Sequence, residues 1–186
     1  MRSPRRAARI AVIDPSGYLF MFRYDNVEVG VHWSMPGGGL ELGESEAQGA
    51  VREVREETGW TDIDAGVPWF SWEHDYTRPE GPVRQSEVVY LLGASELTGL
   101  ASIGRTPHRE PVGDLLAAHR EDGILLWRWW SPAELAVATE PMWPPVLADL
   151  HARLLAEGPP ASAIDLGYMP NGDIEDGIED GIEDVE

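Results

Sequence analysis

Residues 38–60 read GGLELGESEAQGAVREVREETGW. The stretch is entered through Trp33-Ser34-Met35-Pro36-Gly37, so three consecutive glycines follow Pro36. Glycine adopts backbone conformations closed to other residues, and the segment reads as a tight turn whose main-chain groups can approach a metal or phosphate closely. Ser45 stands before Glu46-Ala47-Gln48 and supplies an N-cap, with Gln48 placed to complete a capping box. The spacing predicts a helix over residues 45–58, stopped by Gly59. Ala47, Ala50, Val51, Val54 and Thr58 recur every three or four residues and form a narrow apolar stripe suited to packing on a sheet. Glu53, Glu56 and Glu57 form a second stripe, which gathers three carboxylates within one helical turn beside the glycines.

An acid-rich helical stripe taken alone is a solvated face. A surface helix laced for stability would offer Lys four residues after Glu, whereas Arg52 and Arg55 are the nearby cations here. A cluster of hard oxygen donors suits Mg²⁺ or Mn²⁺, and Mg²⁺ is typically held by one or two carboxylates together with substrate phosphates and water.

The stretch satisfies G-x5-E-x7-R-E-U-x-E-E-x-G-U, with U a bulky apolar residue, at every polar and glycine position. It resembles the box that marks the Nudix hydrolases. The resemblance implies Glu56 and Glu57 as metal ligands, with the Gly37 carbonyl as a main-chain ligand. It implies Glu53 as a ligand through water or as general base, Arg52 as the residue holding Glu53, and Glu44 as a support from the start of the helix. The implied chemistry is attack of a metal-activated water on one phosphorus of a diphosphate linkage. One position departs from the pattern: the last, normally aliphatic, is Trp60. It remains apolar and is expected to bury behind the helix end.

The 186 residues suffice for a single core. Cysteine is absent, which excludes disulfides, thiolate metal sites and cysteine nucleophiles, and argues against the isomerases of the resembled fold, which use a catalytic cysteine. No apolar run reaches membrane-spanning length, and MRSPRRAARIAVID runs directly into a strand-like stretch, so a cytoplasmic address without membrane contact is expected. All 14 basic residues are Arg, so any phosphate clamp must be a planar guanidinium. Arg23, Arg78, Arg84, Arg105, Arg109 and Arg128 are the candidates outside the box, each more readily read as a surface ion pair than as a substrate contact. The net charge of −19 argues against nucleic acid as a partner held through a broad electrostatic footprint, and leaves a small nucleotide compatible. A homodimer is possible.

Residues 157–186 carry ten acids and no Arg. They include IEDGIEDGIEDVE, with too little apolar surface to offset chain entropy, and the reading is a domain over 1–156 followed by a disordered or loosely docked acidic tail. Within the domain, strands are expected near 8–14, 18–24, 32–35, 67–75, 85–93 and 125–131. A helix opens at Pro132, and another covers about 144–156. This pattern suits an α/β fold, an α/β/α sandwich around a mixed sheet, and resembles the Nudix fold over residues 7–156.

An additional acid from outside the box is common in the resembled family; Glu87, Glu110 and Glu121 are the candidates. His108 and His119 are candidates for a catalytic histidine, though an acid can serve as base. For substrate contact the sequence offers Arg23, Tyr24, Tyr76 and Arg78. Tyr24 and the eight Trp are each readable as core or as a stacking surface, with Trp127 and Trp129 expected on one face and Trp130 on the other. Tyr76 lies sixteen residues after the box, where dinucleoside-polyphosphate hydrolases of the family often carry a tyrosine. The implied activity is a Mg²⁺-dependent hydrolase of a nucleoside diphosphate derivative: a nucleoside triphosphate, a nucleotide sugar or a dinucleoside polyphosphate. The alternative is a non-catalytic nucleotide-sensing module, a type usually fused to an effector domain; the complete set of box acids favours the enzyme.

Overall fold

The computed structural model describes residues 1–92, 108–113, 115, 119–120 and 122–170. Among the described residues, eight strands and three helices follow one another as β1 (Ser3–Ala11), β2 (Leu19–Asn26), β3 (Gly30–Ser34), β4 (Gly37–Gly39), α1 (Glu46–Thr58), β5 (Val67–Arg78), β6 (Gly81–Leu91), β7 (Ile124–Trp130), α2 (Pro132–Ala136), α3 (Leu147–Glu157) and β8 (Ile164–Tyr168). One sheet has the order β4-β1-β6-β5-β8 and the other β3-β2-β7. β1 runs parallel to β6 and β5 parallel to β8, while the remaining pairs are antiparallel, so the architecture is mixed.

Alternation along β1 and β2 divides the interior. Ala8, Ile10, Val12, Phe20, Phe22 and Tyr24 pack with Ala50 and Val54 of α1. Ala11, Ile13, Leu19 and Met21 face the other way, toward Leu135 of α2 and Leu147, Leu150 and Leu154 of α3. The strands thus lie between two helical layers, as the sequence predicts. Trp129 joins the α1 side and Trp130 the α3 side, with Trp127 packed against the former, in agreement with their alternation.

Several expectations need correction. Gly37–Gly39 is not a tight turn: it is the extended strand β4, paired to β1 through Ala7, Ala8 and Arg9. The missing side chains serve close lateral approach instead, since a Cβ on Gly37 would collide with the backbone of Ala8 and Arg9. The last helix begins at Leu147, because Pro144 and Pro145 precede its N-cap at Val146. The ordered fold also passes the boundary expected at residue 156, since β8 adds Ile164 and Asp165 beside Phe70 and Ser71 at the sheet edge. The repeat from residue 174 onward lies outside the described residues, as do Glu121 and Arg105. Among the described residues no helix is long and apolar enough to cross a membrane.

Candidate active site

The helix that carries the acids is held at both ends. Ser45 accepts from the Gln48 amide and the Gln48 side chain returns to Ser45, while Gly59 closes the C-terminus in the left-handed region at φ 71°. The Ser45 cap contributes about 1 kcal/mol. Beyond the cap, Trp60 is buried against Phe20 and Trp129, and its indole donates to the Glu110 carbonyl at 3.0 Å.

The acids of α1 diverge rather than forming one exposed row. Glu57 turns into the core, accepting from the Gly37 amide at 2.8 Å and from the Tyr24 hydroxyl at 3.2 Å. Burial pushes its carboxyl well above the usual range, against the pull of Arg9. Glu53 lies against Gly38, where an added Cβ would stand 2.6 Å from its carboxyl carbon. Its pKa is raised by burial and held back by Arg52. Glu56 is the exposed member.

Arg52 ties this end of the helix together. It reaches Glu44 at 2.8 and 3.0 Å, Glu53 at 3.1 Å, Glu56 at 3.0 Å and the Gly39 carbonyl at 2.8 Å. The guanidinium draws the Glu44 carboxyl down to about 2. Glu44, Arg52, Glu53 and Glu56 are therefore one charge-assisted network anchored on β4. Among the described residues no three acid or histidine side chains converge closely enough to hold a metal as they stand. The donor types nonetheless suit a hard divalent cation, and Glu57, desolvated with a raised pKa, is a carboxylate whose ionised form such a cation would favour.

A second network, not anticipated from the sequence, backs the glycine strand. Arg9 donates to the carbonyls of Met35 at 2.6 Å and Gly37 at 2.9 Å, and pairs with Glu87 at 2.7 Å. Glu87 is fully buried and also accepts from Trp72 at 2.8 Å and Gln85 at 2.7 Å. Burial works against both charges, yet the pairing holds Arg9 above and Glu87 below their ordinary values. The sequence signal was available: Gln85 and Glu87 stand in phase with inward Val83 and Val89, so polar residues occupy core positions of β6. Glu87 accordingly braces Arg9, on the face of β6 opposite to Val88 and Tyr90, which pack on the α1 side.

The other candidates disperse. Arg23 is bound in two-point fashion by Glu140 at 2.9 and 3.0 Å, on the face of β2 opposite Tyr24. Tyr24 is buried, stacked on His32 and bonded to Glu57, which removes it as an open stacking surface. Tyr76 donates to Gln85 at 3.1 Å, and Arg78 is paired only loosely with Glu80 at 3.5 Å. Arg84, Arg109 and Arg128 pair with Asp75, Asp62 and Glu134 respectively. Glu110 is exposed, His108 lies 3.7 Å from Asp14, and His119 contacts the Glu57 carbonyl at 2.7 Å.

A family model described as the NUDIX domain matches residues 3–154. Among curated proteins, the chain is 29% identical over 143 residues to an RNA pyrophosphohydrolase of Erythrobacter litoralis, covering 70% of this chain and 78% of that one. It is 27% identical over 139 residues to an RNA pyrophosphohydrolase of Novosphingobium aromaticivorans, covering 70% and 80%. Among solved structures, the MutT protein of Methanosarcina mazei Go1 superposes with a TM-score of 0.57 at 17% identity, covering 84% of this chain and 96% of that one. That likeness concerns the fold. The chain belongs to the Nudix family. It is an enzyme of the Nudix pyrophosphohydrolase kind, a family whose members generally use divalent metals.

Proposed function

We propose that this chain hydrolyses the diphosphate linkage of a nucleoside diphosphate derivative in the presence of Mg²⁺ or Mn²⁺. The observation that carries the reading is Arg52, whose one guanidinium joins Glu44, Glu53, Glu56 and the Gly39 carbonyl. Glu56, Glu57 and the Gly37 carbonyl would hold the metal, with Glu53 beside them reaching it through water. A bound divalent cation supplies charge neutralisation at the transferring phosphoryl group and lowers the pKa of a coordinated water. Glu53 takes the proton of the attacking water, and its burial raises its affinity for that proton. Arg52 keeps the Glu53 carboxylate aimed across Gly38, and Glu44 keeps Arg52 in place. The cytoplasm, where such nucleotides occur, is the working address on this reading.

A second substrate reading has its own support, because two relatives are named RNA pyrophosphohydrolase. The net charge of −19 disfavours a long nucleic-acid footprint, but a 5′ end can be engaged through its phosphates alone. Purified protein is incubated with Mg²⁺ and nucleoside triphosphates, nucleotide sugars, dinucleoside polyphosphates and a 5′-triphosphorylated RNA oligonucleotide, with products identified by mass. Hydrolysis that disappears in Glu56→Gln supports the assignment and names the substrate class. Binding of nucleotide without turnover by the wild type would favour a sensing module instead.

A further inference from the structure

The tertiary structure ranks the arginines in a way the sequence does not. Arg2, Arg6, Arg9, Arg23, Arg52, Arg78, Arg84, Arg109, Arg128 and Arg153 each have a carboxylate within 4.0 Å. Arg55 and Arg120 are exposed to solvent. Arg5 is left: among the described residues it alone is partly buried with no carboxylate in range. Its guanidinium lies directly over Gly39, where even a Cβ would collide with it, and donates to the side-chain oxygen of Gln85.

That placement is held by design of the surrounding strands. Gln85 is buried, level with Arg5 in the parallel β1–β6 pairing, and its carboxamide is oriented by four neighbours. The oxygen accepts from Arg5 and from Tyr76 at 3.1 Å, while the nitrogen donates to Glu87 at 2.7 Å and faces His74 at 3.2 Å. A neutral amide oxygen fixes Arg5 without neutralising it. Burial draws the Arg5 guanidinium below its ordinary value, with Tyr76 and Glu53 opposing the shift and the neighbouring charges of Arg78 and Arg9 adding to it. A partly desolvated cation held by a neutral amide is relieved by an incoming anion.

Consecutive strand residues face opposite ways. Gly38 abuts the Glu53 carboxylate and Gly39 abuts Arg5, so acid and cation flank the bare edge strand β4 from its two sides. We propose that Arg5 is the phosphate-contacting arginine of this site, taking an oxygen of the substrate's diphosphate group on the open side of its guanidinium, with Gln85 and Tyr76 as its positioning residues. The proposal rests on the diphosphate reading of the same site.

The test uses the full chain and methylenediphosphonate, a non-hydrolysable diphosphate, titrated calorimetrically in Mg²⁺. Arg5→Ala is expected to weaken binding about tenfold to a hundredfold, the range of a charge-assisted hydrogen bond. Arg5→Lys recovers part of the loss, and Arg6→Ala, one residue along but exposed, binds as the wild type does. Arg5→Met, which keeps the stem, replaces Arg5→Ala if the latter loses its thermal transition. A folded Arg5 variant that binds the diphosphonate at wild-type strength overturns the role of Arg5 while leaving hydrolysis by the Glu56-dependent site intact. A wild type that neither binds the diphosphonate nor hydrolyses any member of the substrate panel overturns both readings together.

Discussion

Arg9 and Glu87 form an ion pair of 2.7 Å between neighbouring strands, with the Glu87 side chain entirely closed from solvent. Through the same guanidinium Arg9 holds the carbonyls of Met35 and Gly37, so the pair fixes the entry to the glycine strand on which the box depends. Removing one member strands the other charge in the interior. Arg9→Met should therefore cost about 3–5 kcal/mol in chemical denaturation. Arg9→Met combined with Glu87→Gln should cost clearly less than the sum of the two single changes. Strict additivity would show that the two side chains act independently.

Arg52 touches three carboxylates and a main-chain carbonyl while remaining partly exposed. Its loss should disturb activity more than folding, because exposed pairs add little to stability. Arg52→Ala is expected to lower kcat about 10- to 100-fold, the range for residues that orient a metal site's ligands. The melting temperature should move by only a few degrees. A collapse of the melting temperature with kcat preserved would make Arg52 a structural residue.

Gly38 and Gly39 separate packing from strain. Neither carries a positive φ, whereas Gly37 sits at φ 139° against the backbone of β1. Gly38→Ala brings a methyl within 2.7 Å of both Glu53 carboxylate oxygens, and should depress turnover with a modest change in stability. Gly37→Ala should destabilise the fold itself, by several kcal/mol, since strain and a backbone clash coincide. Equal thermal shifts in the two variants would contradict this division.

His32 makes acid stability a specific expectation. It is buried between Tyr24 and Trp143, and burial pulls its imidazole from the ordinary value of 6.5 to about 4. In the unfolded chain it takes a proton near pH 6.5, so between pH 6.5 and 4 the unfolded state binds more protons than the native one. Stability contributed by neutral His32 is thus complete above pH 6.5 and is lost as the pH falls toward 4, by on the order of 3 kcal/mol. Denaturation followed from pH 8 to pH 4 should show this slope, and His32→Phe should flatten it. A slope unchanged in the variant would assign the effect to other groups.

The sequence by itself determined the helix and the spacing of its charged residues. Ser45, Gln48 and Gly59 are local signals, since a cap acts within a few residues, and the box spacing needs only the helical period to bring Arg52 alongside Glu56. The strand-helix order and the alternation of Trp129 and Trp130 were legible for the same reason. What only the tertiary structure decided depends on contacts between residues distant in the chain. It turned Glu57 inward to Gly37 and Tyr24, assigned Glu87 to Arg9, and made Gly37–Gly39 an edge strand of β1 rather than a turn. It also separated Arg5 from the other arginines. A guanidinium's role is set by whether a carboxylate reaches it, and the approach of β1 to β6 across some eighty residues gave Arg5 the amide of Gln85 in place of one.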